Sequence, residues 1–493
     1  MREIIVDDSI GCSVAEKIQV PDGFPKCRHH STWLGELKGS WYDIGREYGK
    51  ASALYARCVF DYWWESAILS GKRNDILNYL HKLEDHVMLL NPKLLDMIRG
   101  EAEGASVELD KCEHARECTN YEKLLFIENA MCYFIHGMPG ARGARVSKAY
   151  GTMSELSAIP VEATDCTEFA IWGDATADGE LIVSYTQQFG WWISNYRFSF
   201  IATPTDGERA NSFLCCTSAG MITGGLFSCN SAGVGVGSTA GGEDPAVDEL
   251  DWGIPASFLR LQAVAYSNSK EQASEIITKG TESYRRRSGR KVLLEDAPYN
   301  WLVADEDGAF VIERTAHRYA IRHPPPIVRK RNFVIATNHQ FCERSYDEND
   351  VESDTPMYKI TGDTDSDVAE LGKFPSPGTV TRYHAIRWAC EYNYGRIDER
   401  MVQGHEFTAG HHWYSRDGKK IEHLWSDLYK NWMPVHYLYP HSTVCGHSGG
   451  YPEKYHNELP SVIMFKPSEL KAQWTVYKPC FWVGPWENSR FEA

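Results

Sequence analysis

The chain of 493 residues lacks any long apolar segment. No stretch approaches the run of about 18 uncharged apolar residues that crosses a bilayer, which argues against a helical membrane protein. The first twenty residues contain Asp7 and Asp8 and no apolar core of the signal-peptide type. We therefore expect a soluble, cytoplasmic protein with no membrane partner.

An excess of positive charge is also missing. Lys and Arg number 51 against 67 Asp and Glu, which gives a formal net charge of −16. A nucleic-acid surface needs clustered basic side chains, so this balance argues against a nucleic-acid partner. The one dense basic run, residues 285–291, is typical of a solvated helix end or loop.

Compact motifs for metals, nucleotides and serine nucleophiles are scarce. The 14 cysteines form no CxxC pair and no HExxH occurs, so we expect reduced thiols, no metal and no cofactor. The segment GHSGG at 446–450 lacks the strand–turn–helix setting of a nucleophile elbow. Seven histidines crowd the C-terminal third without a compact ligand spacing: His405, His411, His412, His423, His436, His441 and His447.

The pattern of apolar residues changes along the chain. Residues 31 to about 140 carry apolar side chains at three- and four-residue spacing, which predicts mostly helices, with Pro92 at a helix start. Residues 136–164 are rich in glycine and small residues, like an exposed linker. From Cys166 onward the chain reads as three hairpins, with a helical pair between the second and third, and a closing hairpin. The predicted turns are the Asp-Gly pairs at 178–179, 206–207 and 307–308. This order predicts an α+β fold of antiparallel sheets with segregated helical layers.

Cys166 stands where the linker-like stretch meets a predicted strand. A cysteine in such a place is most often a buried structural thiol. Three features favour a reactive thiol instead. The preceding stretch looks cleavable, the strand would hold the sulfur on a rigid sheet edge, and the first turn reads GDATADGE.

Seven segments together resemble one family. They are, in chain order, GELKGSWYDIGREYGK, RGEAEGASVEL, CTEFAIWGDATADGELIVSY, FSCNSAGVGVG, YNWLVADEDGAFVIE, IATNHQF and TVCGHS. Over roughly residues 33 to 485 this ordered set resembles the acyl-CoA:6-aminopenicillanate acyltransferase family, which includes carcinine hydrolase-like proteins. The resemblance implies an N-terminal-nucleophile (Ntn) hydrolase with a four-layer α/β/β/α sandwich of antiparallel sheets.

The resemblance also implies a self-cleaving precursor. The Cys166 thiol attacks the carbonyl of Asp165, and hydrolysis of the thioester divides the chain into residues 1–165, a mostly helical α chain, and residues 166–493, the catalytic β chain. The two fragments are expected to stay associated. The freed α-amine of Cys166, with an ordinary pKa of about 8, then serves as the base for its own thiol.

Further catalytic residues follow from the same resemblance. Asn300 is the candidate oxyanion donor, and the alternative is an asparagine that caps a hairpin edge. Arg382 is the candidate that orients a substrate carboxylate or the Cys166 amine, and the alternative is a surface arginine on a helix. Asn338 and His339, in the TNH segment, are expected to be structural.

Substrate contacts are predicted around the end of the second catalytic-chain strand. Tyr185 and Gln188 lie in this stretch, and Gln188 takes the position where many relatives carry an Asp that contacts the amine. An amide can bond the amine without stabilising its charge. Phe189 and Trp191 either line an apolar acyl pocket or belong to an aromatic core. Asn230 either contacts substrate or fixes a turn.

The predicted reaction is acyl transfer from a linear amide to water or an amine. The expected partner is a small acylated substrate. The sequence leaves open whether an acyl-CoA or an amine acceptor takes part in the reaction and whether the chain forms a homo-oligomer. One alternative is a phospholipase B-like lipid acyl hydrolase, because the stretch YTQQF loosely resembles that group. The other is a catalytically degenerate binding or scaffold protein.

Overall fold

The fold is described from a computed structural model of the chain. It describes the following residues: 30–69, 73–136, 166–187, 196–206, 210–223, 227–241, 253–295, 298–324, 332–340, 342–357, 383, 386–387, 390–391, 393–402, 413–414, 420–421, 461–476 and 487–490.

Among the described residues, helices dominate before Cys166 and strands dominate after it. The helices are α1 Trp41–Leu69, α2 Arg73–Leu90, α3 Pro92–Gly104, α4 Ser106–Leu109, α5 Asn120–His136, α6 Ala256–Tyr266, α7 Lys270–Lys279, α8 Glu282–Ser288 and α9 Glu399–Val402. The strands are β1 His30–Gly39, β2 Cys166–Ile171, β3 Ile182–Gln187, β4 Tyr196–Pro204, β5 Phe213–Ser218, β6 Phe227–Asn230, β7 Gly235–Ala240, β8 Tyr299–Asp305, β9 Gly308–Arg314, β10 Tyr319–Arg322, β11 Phe333–Ala336, β12 Ser345–Tyr346, β13 Glu352–Ser353, β14 Trp413–Tyr414, β15 Lys420–Ile421, β16 Ser461–Lys466, β17 Lys471–Val476 and β18 Glu487–Arg490.

Two large sheets form the centre of the described structure. The ten-stranded sheet has the order β1-β4-β5-β6-β7-β8-β9-β10-β12-β13, and the six-stranded sheet has the order β11-β2-β3-β16-β17-β18. Neighbouring strands are antiparallel except for β1, which runs parallel to β4. The predicted α+β class with antiparallel sheets is confirmed, and so is the helical pair, as α6 and α7.

The predicted hairpins are present, although the turn of the second, at 206–207, lies partly outside the described residues. The pairs β2–β3, β4–β5, β8–β9 and β16–β17 are all antiparallel. In the β8–β9 hairpin Asp305 pairs with Gly308, so the turn residues are Glu306 and Asp307, one position before the predicted pair. Strand β1 was predicted as part of a helical region. Its partner β4 is distant in sequence, so no local pattern signals the pairing.

Helices α1 and α3 cross at very close range through glycines. A Cβ atom at Gly45 would lie 1.9 Å from the carbonyl oxygen of Met97, and one at Gly100 would lie 2.0 Å from the carbonyl oxygen of Tyr42. Gly49 and Gly104 are equally crowded by backbone of the opposite helix. The glycines of the segments GELKGSWYDIGREYGK and RGEAEGASVEL therefore allow a backbone contact that any side chain would prevent. Helix α3 begins as predicted at Pro92, capped by the Asn91 side chain.

In the part of the chain that the structure describes, three clusters of buried apolar residues fill the space around the sheets. The largest joins the helices to one face of the ten-stranded sheet. The second lies between the two sheets and includes Ala170, Tyr185 and Phe465. The third joins the outer face of the six-stranded sheet to residues 383–402. Strand β2 contributes to the last two clusters by alternation, because Ala170 faces the ten-stranded sheet and Phe169 faces away from it.

Candidate active site

Cys166 is the first residue of β2 and is buried. Its register partner on β3 is Gln187. Side chains two apart on a strand share a face, so Cys166 lies on the same side as Glu168 and Ala170, toward the space between the sheets. The candidate nucleophile therefore has a rigid backbone on a strand between two neighbours, within a closed interior.

The hydroxyl of Tyr185 lies beside the sulfur. Tyr185 is buried on β3, and its hydroxyl has two acceptors in reach, the Cys166 Sγ at 3.6 Å and the Ser238 carbonyl oxygen at 3.4 Å. Burial raises the pKa of the Tyr185 phenol well above its usual value, and Cys166 and Glu168 raise it further. The phenol therefore stays protonated and acts as a hydrogen-bond donor.

A loop that follows β11 holds the backbone nitrogen of Cys166. The Asn338 Oδ1 accepts a hydrogen bond from this N–H at 3.0 Å, and the Asn338 Nδ2 donates to the carbonyl of Ala240 at 2.9 Å. The sequence reasoning gave Asn338 only a structural role. The register of the structure explains the contact: Ala336 pairs with Glu168 in the antiparallel β11–β2 ladder, which puts position 338 level with Cys166.

Asn300 anchors that same loop. From β8 its Nδ2 donates to the carbonyls of Thr337, at 2.7 Å, and His339, at 3.0 Å. The Thr239 hydroxyl also donates to the Thr337 carbonyl, at 2.8 Å. Both amide protons of Asn300 are thus engaged by the loop that carries Asn338. The structure gives Asn300 a positioning contact, and its role as oxyanion donor stays a prediction.

A buried carboxyl group lies two residues beyond the nucleophile. Glu168 is fully buried; its Oε1 accepts the backbone N–H of Leu302 at 3.2 Å, and no group among the described residues donates to its Oε2. Burial raises the pKa of this carboxyl group well above its usual value, and the Leu302 N–H, Arg260 and Arg322 reduce the rise. Glu168 was missed by the sequence reasoning, although a charged residue in the apolar run CTEFAI was a usable signal.

Arg260 supplies the positive charge near this group. It lies on α6, is fully buried, and donates to the Ser238 hydroxyl at 3.3 Å and to the Thr223 carbonyl at 2.8 Å. Burial lowers the pKa of its guanidinium, and Tyr185 opposes this shift. Since Ser238 also offers its carbonyl to Tyr185, a chain of polar contacts joins the nucleophile to α6.

Asn230 has the contacts of a residue that fixes a turn. Its Nδ2 donates to the carbonyls of Val264 and Ser267, and its Oδ1 accepts from the backbone N–H groups of Ala232 and Val234. These four bonds occupy both amide protons and both lone pairs. They match the turn-fixing alternative, and a substrate contact for Asn230 stays a prediction.

Other predicted positions lie outside the described residues. They are Asp165, Gln188, Phe189, Trp191, Arg382 and the seven C-terminal histidines. Within the residues that are described, no group of three or more His, Cys, Asp or Glu side chains is placed to hold a metal ion. No helix in that part of the chain is long and apolar enough to span a membrane.

Comparisons with known proteins add little. No protein-family model matches the chain, and no curated protein matches it. An N-acylethanolamine-hydrolyzing acid amidase ortholog from Caenorhabditis elegans aligns with a TM-score of 0.26 and 14% identity, over 36% of this chain and 70% of that one. A variant of the conjugated bile acid hydrolase from Clostridium perfringens aligns with a TM-score of 0.29 and 10% identity, over 66% of this chain and 97% of that one. At scores this low neither likeness is informative about the activity of this chain.

Proposed function

We propose that this chain is a self-cleaving Ntn amidohydrolase or acyltransferase with Cys166 as its nucleophile and a four-layer α/β/β/α sandwich as its fold. One observation carries the proposal. Both reactive atoms of Cys166 have a polar partner in the buried space between two sheets, Asn338 at the nitrogen and Tyr185 at the sulfur. A buried backbone N–H needs a partner in any protein, so the first contact alone would be ordinary. Together with the phenol at the sulfur, it positions both groups that a residue acting as nucleophile and base would use.

The cleavage step uses only Cys166, Asp165 and water. The thiol sulfur attacks the Asp165 carbonyl carbon, the C–N bond breaks, and the thiol proton passes to the leaving nitrogen. Water then hydrolyses the thioester, which leaves a main-chain carboxylate at Asp165, the end of the first fragment, and restores the thiol. The product is an N-terminal Cys166 whose α-amine lies beside its own sulfur.

Turnover then follows the same chemistry on an external amide. The α-amine takes the thiol proton, the sulfur attacks the substrate carbonyl, and the protonated amine product leaves. Water or a second amine accepts the acyl group from the thioester. In the cleaved protein the Asn338 Oδ1, which accepts the Cys166 N–H in the structure, accepts from the α-amine and orients it. An uncharged acceptor favours the charged amine less than a carboxylate does, and the neutral amine is the form that can take a proton.

Cleavage is compatible with a single folded unit. Strand β1 precedes the cleavage point yet pairs with β4, and the N-terminal helices share the largest apolar cluster with the ten-stranded sheet. The fragments therefore have a large shared interior, which supports their association after cleavage. A small acylated substrate, with water, an amine or an acyl-CoA as co-substrate, is the partner class we propose.

The test is a panel of N-acyl amides and lipid esters, assayed with the wild-type protein and with Cys166→Ala. We expect the wild-type protein to release amine and the variant to lose at least a thousandfold in rate, because the acyl-enzyme cannot form. Amide turnover by the variant at the wild-type rate would overturn the proposal. Turnover of the lipid esters alone would favour the lipid acyl hydrolase instead.

A further inference from the structure

The Tyr185 hydroxyl has one proton and two acceptors. The Cys166 Sγ lies 3.6 Å away and the Ser238 carbonyl oxygen lies 3.4 Å away, on the opposite sheet. Tyr185 is buried, and among the described residues these two groups are the acceptors within reach of its hydroxyl. The charge on the sulfur therefore decides which acceptor is bonded. A thiolate accepts a charge-assisted hydrogen bond, which is about twice as strong as a neutral one, whereas a thioester sulfur is a poor acceptor.

The charged groups around this hydroxyl come from several elements. Glu168 is the cross-strand partner of Tyr185 on β2, and burial raises the pKa of its carboxyl group well above the usual value. Arg260 on α6 is linked to Tyr185 through Ser238, and Arg322 on β10 acts on Glu168. The Glu168 Oε1 accepts the Leu302 N–H, and no group among the described residues, Tyr185 included, donates to its Oε2, so this carboxyl group does not take the hydroxyl proton from the sulfur.

We propose that Tyr185 is a catalytic residue whose hydroxyl donates to the Cys166 sulfur while that sulfur is anionic and turns to the Ser238 carbonyl once the sulfur is acylated. The inference rests on the proposed function, since it requires a sulfur that becomes charged and then acylated. The phenol keeps its proton throughout, so the proton of the thiol passes only to the α-amine. The hydroxyl would favour the thiolate before attack and again when the thioester breaks.

The test compares Tyr185→Phe with Tyr48→Phe. Tyr48 is also buried and its hydroxyl also donates to a backbone carbonyl, that of Ser218 at 2.7 Å. This control therefore loses a buried hydroxyl in another apolar cluster. The readout is the rate at which iodoacetamide alkylates Cys166 in the cleaved protein, measured from pH 5 to pH 10 by the mass of the peptide that begins at Cys166.

We expect the midpoint of the Tyr185→Phe profile to rise by about one pH unit, because a hydrogen bond to the thiolate is lost. The Tyr48→Phe midpoint should coincide with that of the wild-type protein. If Tyr185→Phe cleaves too slowly to yield mature protein, the same upward shift should appear in the pH dependence of its cleavage rate.

Coincident midpoints for the wild-type protein and Tyr185→Phe, with both proteins cleaved, would overturn the role of Tyr185 alone. A wild-type protein that never cleaves would overturn this inference together with the proposed function. An equal upward shift in Tyr48→Phe would also overturn it, because the shift would then come from a general loosening of the fold.

Discussion

Replacing Asn300 by alanine should separate the stability of the protein from its self-cleavage. Asn300 contributes two buried hydrogen bonds, to the Thr337 and His339 carbonyls. Asn230, an equally buried asparagine, contributes four. At about 1 kcal/mol net per bond, Asn300→Ala costs about 2 kcal/mol of unfolding free energy and Asn230→Ala about 4 kcal/mol.

For the rate of self-cleavage we expect the opposite ranking: Asn300→Ala should be the more affected variant. Asn300→Ala releases two carbonyls of the loop that brings Asn338 to the Cys166 nitrogen, although the Thr239 and Ala240 contacts to that loop remain. A small displacement of a positioning group slows a reaction by tenfold or more, so we expect at least a tenfold slower cleavage. Asn230→Ala changes only a turn and should cleave at close to the wild-type rate, despite its larger loss of stability.

Two measurements on each variant test whether the loss of cleavage is separate from the loss of stability. Urea denaturation gives the unfolding free energies, and the appearance of fragments on denaturing gels after translation gives the cleavage rates. Cleavage rates that simply follow the stabilities, with Asn230→Ala the slower variant, would refute the reasoning. So would Asn300→Ala cleaving as fast as the wild-type protein.

Two further outcomes concern the buried carboxyl and the helix crossing. Burial raises the pKa of Glu168 in the folded state, so both states are protonated below its ordinary pKa, and above it only the unfolded state ionises. The wild-type unfolding free energy should therefore fall relative to that of Glu168→Gln by about 1.4 kcal/mol per pH unit, from about pH 4.5 until the pKa of the folded state is passed. Urea denaturation of both proteins at pH 4, 5.5 and 7 measures this difference. A difference between the two proteins that does not change with pH would contradict the prediction. Gly45→Ala should lose about 1–3 kcal/mol of unfolding free energy, because its Cβ would lie 1.9 Å from the Met97 carbonyl oxygen. The exposed neighbour Lys50→Ala should change it by less than about 0.5 kcal/mol, and equal losses at both positions would argue against close helix packing.

The hairpins could be predicted from the sequence because their signals are local. Alternating apolar residues on either side of an Asp-Gly pair specify two strands and the turn that joins them. Strand β1 could not be predicted in this way, because its pairing with β4 is a tertiary contact. The glycines of α1 and α3 can be seen in the sequence, but only the structure shows that they allow the backbones of the two helices to come into contact.

The candidate site likewise combines a residue that local sequence signals predict with contacts that depend on distant segments. Cys166 was predicted as the nucleophile from the change in pattern around it and from the resemblance to a family, and this role stays a prediction. The contact between Asn338 and Cys166 depends on the register of β11 against β2, which joins segments far apart in the sequence. The switchable hydroxyl of Tyr185 depends on the second sheet, since one of its acceptors is the Ser238 carbonyl. Pairwise geometry of this kind follows from the packing of two sheets and has no signature in a single strand.

The N-terminal sequence and intact mass of the purified, active protein test the central claim most directly. We predict two polypeptides that co-purify, one of them beginning Cys166-Thr167-Glu168. An active preparation that consists of one uncut chain would contradict the account, because Cys166 would then have no α-amine to serve as its base.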